Sequence, residues 1–157
     1  MKKLFTIGVC ALSMLLILTG CGSKTKKVEM SVDEVLDTVY SDFKQDELPQ
    51  LGRNEITEEN IEYYTGLTKL DYKEAKVSEP LIGSIAHSVV AIKVNDGVDI
   101  EKTKKEIKEK VNPAKWVCVN AENVIVLSKG DVIVLIMTDE NDNGAAKKMQ
   151  ENFNKVK

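Results

Sequence analysis

The sequence predicts an α+β domain, an antiparallel sheet of about five strands with helices packed on it, in the order ααββαβββα. Three observations lead there. Apolar residues recur at helical spacing in segments that open on capping residues. Strand-like runs rich in Val and Ile are joined by hairpin-length turns. The helical and strand segments are segregated rather than strictly alternating, which argues against a parallel βαβ array. At 157 residues the chain has the size of one domain.

Ser31-Val32-Asp33-Glu34 has the form of a capping box, and Val32, Val35, Leu36, Val39 and Phe43 follow on one face. The spacing predicts a helix from residue 31 to about 46, ended by Leu48-Pro49. A loop containing Gly52 and Arg53 leads to a second, shorter helix, capped by Thr57, with Ile56 and Ile61 as its hydrophobic staple and Gly66 as its stop. Residues 69–77 and 85–94 read as strands, separated by Pro80 and Gly83; Asn95-Asp96-Gly97 ends the second. Asp99 caps a third helix with the stripe Ile100, Thr103, Ile107 and Val111, broken by Asn112-Pro113. Residues 115–119, 123–128 and 131–138 read as three short strands. The last helix runs from about residue 142 to 156, with Ala146, Met149, Phe153 and Val156 on one side.

Val124-Ile125-Val126-Leu127 and Val132-Ile133-Val134-Leu135-Ile136-Met137 are apolar on both faces. A half-solvated strand alternates, so this hairpin is expected to be covered on both sides by the helices. The competing arrangement leaves one face exposed as a partner site.

The N-terminus has a different character. Lys2 and Lys3 precede an apolar run, residues 4–18, too short to span a bilayer, and Leu18-Thr19-Gly20-Cys21 follows. These last four residues resemble the lipobox of bacterial lipoproteins: an aliphatic residue, two small ones that admit the signal peptidase, and the Cys whose thiol takes a diacylglyceryl group. The resemblance implies a signal peptide over residues 1–20, a lipidated Cys21 opening a basic tether over 21–28, and one α+β domain over 29–157. It also implies a lipid-anchored (diacylated or palmitate-bearing) protein on the extracytoplasmic face of the cell membrane. Removal of Lys2 and Lys3 leaves a mature chain two charges more acidic than the net −3 of the full sequence. That balance offers no footprint for nucleic acid.

Few residues could carry chemistry. Asp139, Asn141 and Asn143, with Gly144, match the opening of a calcium loop. Lys147 and Gln150 then stand at the ninth and twelfth positions, and a strand rather than a helix leads in. The loop is expected to supply turn and N-cap chemistry, with weak calcium or small-ligand binding as the alternative. His87, the only histidine, is expected to face solvent or sit near a strand end. Cys118, the only thiol left once Cys10 is cleaved and Cys21 acylated, is expected to be a small apolar filler in a strand. A Cys118–His87 nucleophile pair has no oxyanion loop or orienting carboxylate beside it. Tyr63, Tyr64 and Trp116 are candidate stacking platforms. Hydrolase, zinc-protease, P-loop and dinucleotide fingerprints are missing from the sequence, and no cofactor is implied.

Three stretches complete the reading: Val89-Val90-Ala91-Ile92-Lys93-Val94; Asn112-Pro113-Ala114-Lys115-Trp116-Val117-Cys118-Val119; and Asn123 to Ile136 with Gly130 at its turn. Together they resemble a group of small Gram-positive lipoproteins carrying an α+β domain of unassigned function. The resemblance supplies no catalytic residues. It implies a non-enzymatic envelope protein that presents an interaction module to a protein or cell-wall partner.

Overall fold

The structure is a computed structural model that describes residues 26–157. The signal segment and Cys21 lie outside the described residues. Nine elements follow one another: α1 Val32–Tyr40, β1 Leu51–Glu55, α2 Ile61–Thr65, β2 Tyr72–Pro80, β3 His87–Val94, α3 Ile100–Lys110, β4 Asn123–Lys129, β5 Val132–Thr138 and α4 Ala145–Phe153. The strands form one antiparallel sheet in the order β1-β2-β3-β5-β4. The α+β class with its five-stranded sheet is as the sequence predicts.

β5 is the centre of the molecule. Every residue from Val132 to Thr138 is buried, and the side chains divide by parity between two cores. Val132, Val134 and Ile136 join Val89 and Ala91 under α1 and α4, where Val35, Leu36, Val39, Met149 and Phe153 meet them. Ile133, Leu135 and Met137 join Val90, Ile92 and Val94 on the other face, under Ile61 of α2 and Ile107 of α3. Helices therefore cover both sides of the hairpin, and the continuous apolar run is what such a strand needs. Each buried Leu or Ile there contributes about 1.5–3 kcal/mol relative to exposure.

Local chemistry sets the helix starts. Ser31 and Glu34 form the capping box in full, the Ser31 N–H donating to Glu34 Oε2 at 2.7 Å and the Glu34 N–H to Ser31 Oγ at 3.3 Å. Asp99 accepts from the Lys102 N–H at 3.0 Å. Ile56 and Ile61 are both buried in one core, but with Asn60 as the N-cap Ile61 is the first helical residue, so they are not the N′–N4 staple expected from a Thr57 cap.

Six elements differ from the sequence reading. β2, expected over 69–77 with Pro80 in the turn after it, runs over Tyr72–Pro80, because Pro80 pairs with Leu51 of β1. Residues 51–55, expected as loop, are the edge strand β1; Leu-Gly-Arg-Asn-Glu has no alternation, and its extended form follows from pairing with residues 76–80. Residues 115–119, expected as a strand, are loop, because Cys118 takes a left-handed φ of 61° and Lys115 turns inward. α1 stops at Tyr40, where the Ser41 N–H bonds back to Thr38, and polar residues 41–47 form turns instead. α2 begins at Ile61 with Asn60 as N-cap; Thr57 sits before it and donates its N–H to Asn60 Oδ1. α4 begins at Ala145, since Asp142 is spent on the preceding turn. The resulting order is αβαββαββα.

The chain enters at one end of the sheet. The Val28 N–H donates to the buried Asp131 Oδ1 at 2.8 Å, and Lys27 pairs with Asp96 at 2.9 Å. Gly130, with φ of 56°, is the first central residue of the two-residue β4–β5 turn, and a Cβ there would strike the Lys26 carbonyl. Gly130→Ala is therefore expected to lose about 2 kcal/mol or more in urea denaturation, from backbone strain plus displacement of the segment at residues 26–28. An unchanged midpoint would show that residues 26–28 are not packed on the turn.

Candidate functional site

At the other end of the sheet, the 81–86 connection, the 113–120 loop and the start of β1 come together. Leu81 N–H donates to the Gln50 carbonyl at 3.1 Å and Val117 N–H to the Gly83 carbonyl at 3.0 Å. Pro113 and Ala121 close the 113–120 loop through the Ala121 N–H, and Asn112 Oδ1 accepts from the Ala114 N–H. The C-terminus of α2 is fixed by Gly66 in left-handed conformation, packed so closely on Lys110 that no Cβ fits.

These elements bring the three aromatic candidates around one charge. Lys115 has a side chain only 1% exposed, and its ammonium lies 4.8 Å from the Tyr64 ring centre and 5.1 Å from those of Tyr63 and Trp116. It is 2.5 Å from Glu79 Oε1, an ion pair rather than a well-aligned hydrogen bond, and donates to Ser88 Oγ at 3.1 Å. Glu79 and Ser88 lie one step past the Ser78–Val89 pair, so β2 and β3 aim both at the same face. Burial pushes the Lys115 ammonium below the usual lysine range, and the Glu79 charge opposes that shift. The three ring faces replace part of the lost hydration. Burial and the Glu79 charge also hold the Tyr63 and Tyr64 hydroxyls above their ordinary value.

The rim is apolar. Tyr63, Leu81, Ile82 and Val117, exposed by 51–68%, are the large hydrophobic side chains left exposed among the described residues, and all four belong to this end. The Tyr63 hydroxyl donates to the Lys115 carbonyl at 3.4 Å, linking rim to ion pair. Sequence reasoning named Tyr63, Tyr64 and Trp116 but missed Lys115 and Glu79. Nothing in a lone Lys before Trp, or a Glu before Pro80, distinguishes them from surface charges.

The other candidates stay apart. His87 is the first residue of β3, near a strand end as one expectation had it, yet it is buried rather than solvent-facing, because α1 lays Tyr40 over it. Its Nε2 is 2.9 Å from the Tyr40 hydroxyl, and the two rings stack at 5.9 Å. Beside them a cleft of about 560 Å³ opens between α1 and β1, lined in part by Tyr40, Phe43, Leu48 and Arg53. Cys118 is exposed, not a core filler, since its loop never joins the sheet. No hydrogen bond links it to His87, which sits under α1 on the opposite face from the Lys115 loop.

In the 139–144 loop, Asp139 Oδ1 accepts from the Asn141 N–H at 2.7 Å, and Asn143 takes φ of 53°. Asp142 accepts from the Gly144 and Ala146 N–H groups and the Thr138 hydroxyl at 2.8, 2.8 and 2.5 Å. Its carboxylates thus serve the turn into α4. Among the described residues, no group of three or more His, Cys, Asp and Glu side chains gathers as a metal site does. No helix among them is long and apolar enough to cross a membrane.

Comparison with known proteins finds no matching family model, no matching curated protein and no matching solved structure.

Two outcomes test this geometry. Lys115→Ala leaves Glu79 facing a desolvated pocket without its counter-charge, and is expected to cost about 2–4 kcal/mol of stability. The Lys115→Met/Glu79→Gln pair should recover much of it in the same chemical denaturation series; equal losses would mean that the pair is not coupled. His87 is pushed down to about 4 by burial, with the Asp142 charge partly offsetting it. The unfolded chain takes up its proton near pH 6.5, and the folded one only near pH 4, so His87 lowers stability as pH falls through that window. The loss approaches about 3 kcal/mol at its lower end. A His87→Gln variant should show a flatter profile between those values; parallel curves would mean a solvated imidazole.

Proposed function

We propose that this chain is the precursor of a bacterial cell-envelope lipoprotein. In this reading it is anchored through Cys21 on the extracytoplasmic face of the membrane and is not an enzyme. Its domain presents a protein-binding pole. Leu18-Thr19-Gly20-Cys21 behind its short apolar run supports the anchor, and the observation that carries the pole is the end-to-end polarity of the domain. The tether side enters at the β4–β5 turn, where Val28 is bonded to Asp131. Tyr63, Leu81, Ile82 and Val117 are exposed at the opposite end. β3 alone, from His87 to Val94, separates the two ends by about 25 Å at ~3.3 Å per residue. A domain hung from its N-terminus thereby holds its apolar rim away from the lipid surface, toward the wall or a neighbouring ectodomain. The ion pair beneath the rim fixes its shape in advance, which lowers the ordering cost of binding.

Two acyl chains on Cys21 suffice for stable anchoring, at about 0.8 kcal/mol per buried CH₂. Cells fed an alkynyl palmitate are expected to label the wild-type protein and retain it in the membrane fraction. Cys21→Ala should abolish the label and leave the precursor unprocessed. Equal labelling of the Cys21→Ala protein would refute the anchor. For the pole, a photo-crosslinking amino acid at Val117 should yield a discrete adduct in intact cells, while one at Lys105 on α3 should not reproduce that adduct. Identical adducts from both positions would remove the pole as the partner surface.

A further inference from the structure

The two edges of the sheet are chemically unlike. β1 shows Arg53, Asn54 and Glu55 to water, charges of the kind that keep an edge unpaired. β4 instead carries Val124, Ile125, Val126 and Leu127, all only half-buried, and no described strand lies beyond it. The Gly130-Asp131 turn closes the hairpin in two residues, so Lys129 and Val132 form a hydrogen-bonded pair. Bonded pairs then recur at every second residue, which sends the N–H and C=O groups of Val124, Val126 and Ser128 away from β5. The Lys108 ammonium sits on the Val124 carbonyl, as this direction requires. On the other side of β5 the Asp131 carbonyl accepts from the Val94 N–H, which fits the same alternation.

The edge also lies along a shallow, open depression. It forms the floor of this depression, of about 520 Å³ between α3 and α4, bordered by Glu101, Lys104, Lys105 and Lys108 on one side and Gln150 on the other. Three ammonium groups stand there. Glu101 holds Lys104 at 3.0 Å and Glu109 lies 3.8 Å from Lys105. Lys108 donates to the Val124 carbonyl and is the one of the three with no carboxylate within salt-bridge distance among the described residues. We propose that β4 receives an extended, acidic peptide segment of a partner protein as a sixth strand. The outward backbone groups supply the ladder, and the half-buried Val and Ile chains gain cover. The α3 lysines select for acidic side chains and speed encounter. Lys108 moves from the Val124 carbonyl to an incoming carboxylate. A second copy of this chain fits less well: pairing β4 with its two-fold mate brings both α3 helices, with their lysines, onto one face. This site is separate from the apolar pole and does not depend on the lipoprotein reading.

The test uses the full-length protein in lipid nanodiscs and two probes, short peptides alternating Glu with Val and Lys with Val. The Glu peptide is expected to bind and to slow amide hydrogen exchange at Val124, Val126 and Ser128, with empty nanodiscs as the blank. Lys105→Glu with Lys108→Glu, both at exposed positions on α3, should weaken that binding about tenfold at low salt. Val126→Pro removes one outward N–H without touching the β5 ladder, and should weaken it independently. Equal affinity for the two peptides, or binding without protection of those three amides, would overturn the proposal. So would protection of the same amides in the absence of peptide that rises with protein concentration, which assigns the edge to a second copy.

Discussion

Strand β5 has no solvent side. Seven consecutive buried residues, six of them large and apolar, must be covered above and below, and every other placement in the molecule answers that requirement. α1 and α4 close one face and α2 with α3 the other, with the side chains of β5 dealt alternately to the two cores. The strand is paired on both long sides as well, by β3 and β4, so its backbone groups find partners without water. Helices on both faces of the sheet make a three-layer arrangement that buries such a strand.

That central position has a cost at the margins. Covering both faces uses the four helices of the described residues and leaves the outermost strands to manage their own edges. β1 does so with charge, and α1 adds to it: Arg53 reaches Asp33 and Asp37, and Lys76 on β2 reaches Asp33. Such exposed pairs contribute little to stability, about 0–1 kcal/mol each, but they fix where α1 lies over the sheet. β4 has no comparable guard beyond Lys108, and its exposure follows from being the hairpin partner of a strand that had to be central.

The pole around Lys115 shows a second consequence. A loop that makes no ladder contacts needs another device to hold one shape, and here it is a desolvated charge. The ammonium trades water for Glu79, Ser88 and three ring faces, and the 113–120 loop has to follow it inward. Removing one partner leaves the other charge stranded, so the loop is held by the penalty of separation more than by the strength of the pair.

Much of the fold was legible in the residues. The capping box at Ser31, the Asp99 cap and the Gly66 stop are local devices, decided by groups a few residues apart, and each stands where the sequence places it. The two-sided apolar hairpin was legible too, because a missing alternation is a direct statement about burial. Long-range pairing was not. Leu51 to Glu55 becomes a strand only because β2 is there to bond it, and residues 115–119, β-like in composition, are kept out of the sheet by Lys115 turning inward and by the backbone of Cys118. The burial of His87 depends on Tyr40, which lies 47 positions earlier in the chain. The candidate site was half legible: the aromatic residues announced themselves, while Lys115 and Glu79 read as ordinary surface charges. The sequence by itself determined the class of fold, the starts of α1 and α3 and the stop of α2, and the strand that must lie at the centre. Only the tertiary structure decided which charges are buried, which edge is left apolar, and which end of the domain lies opposite Val28. Those properties belong to pairs of groups far apart in the chain, and no local pattern encodes them.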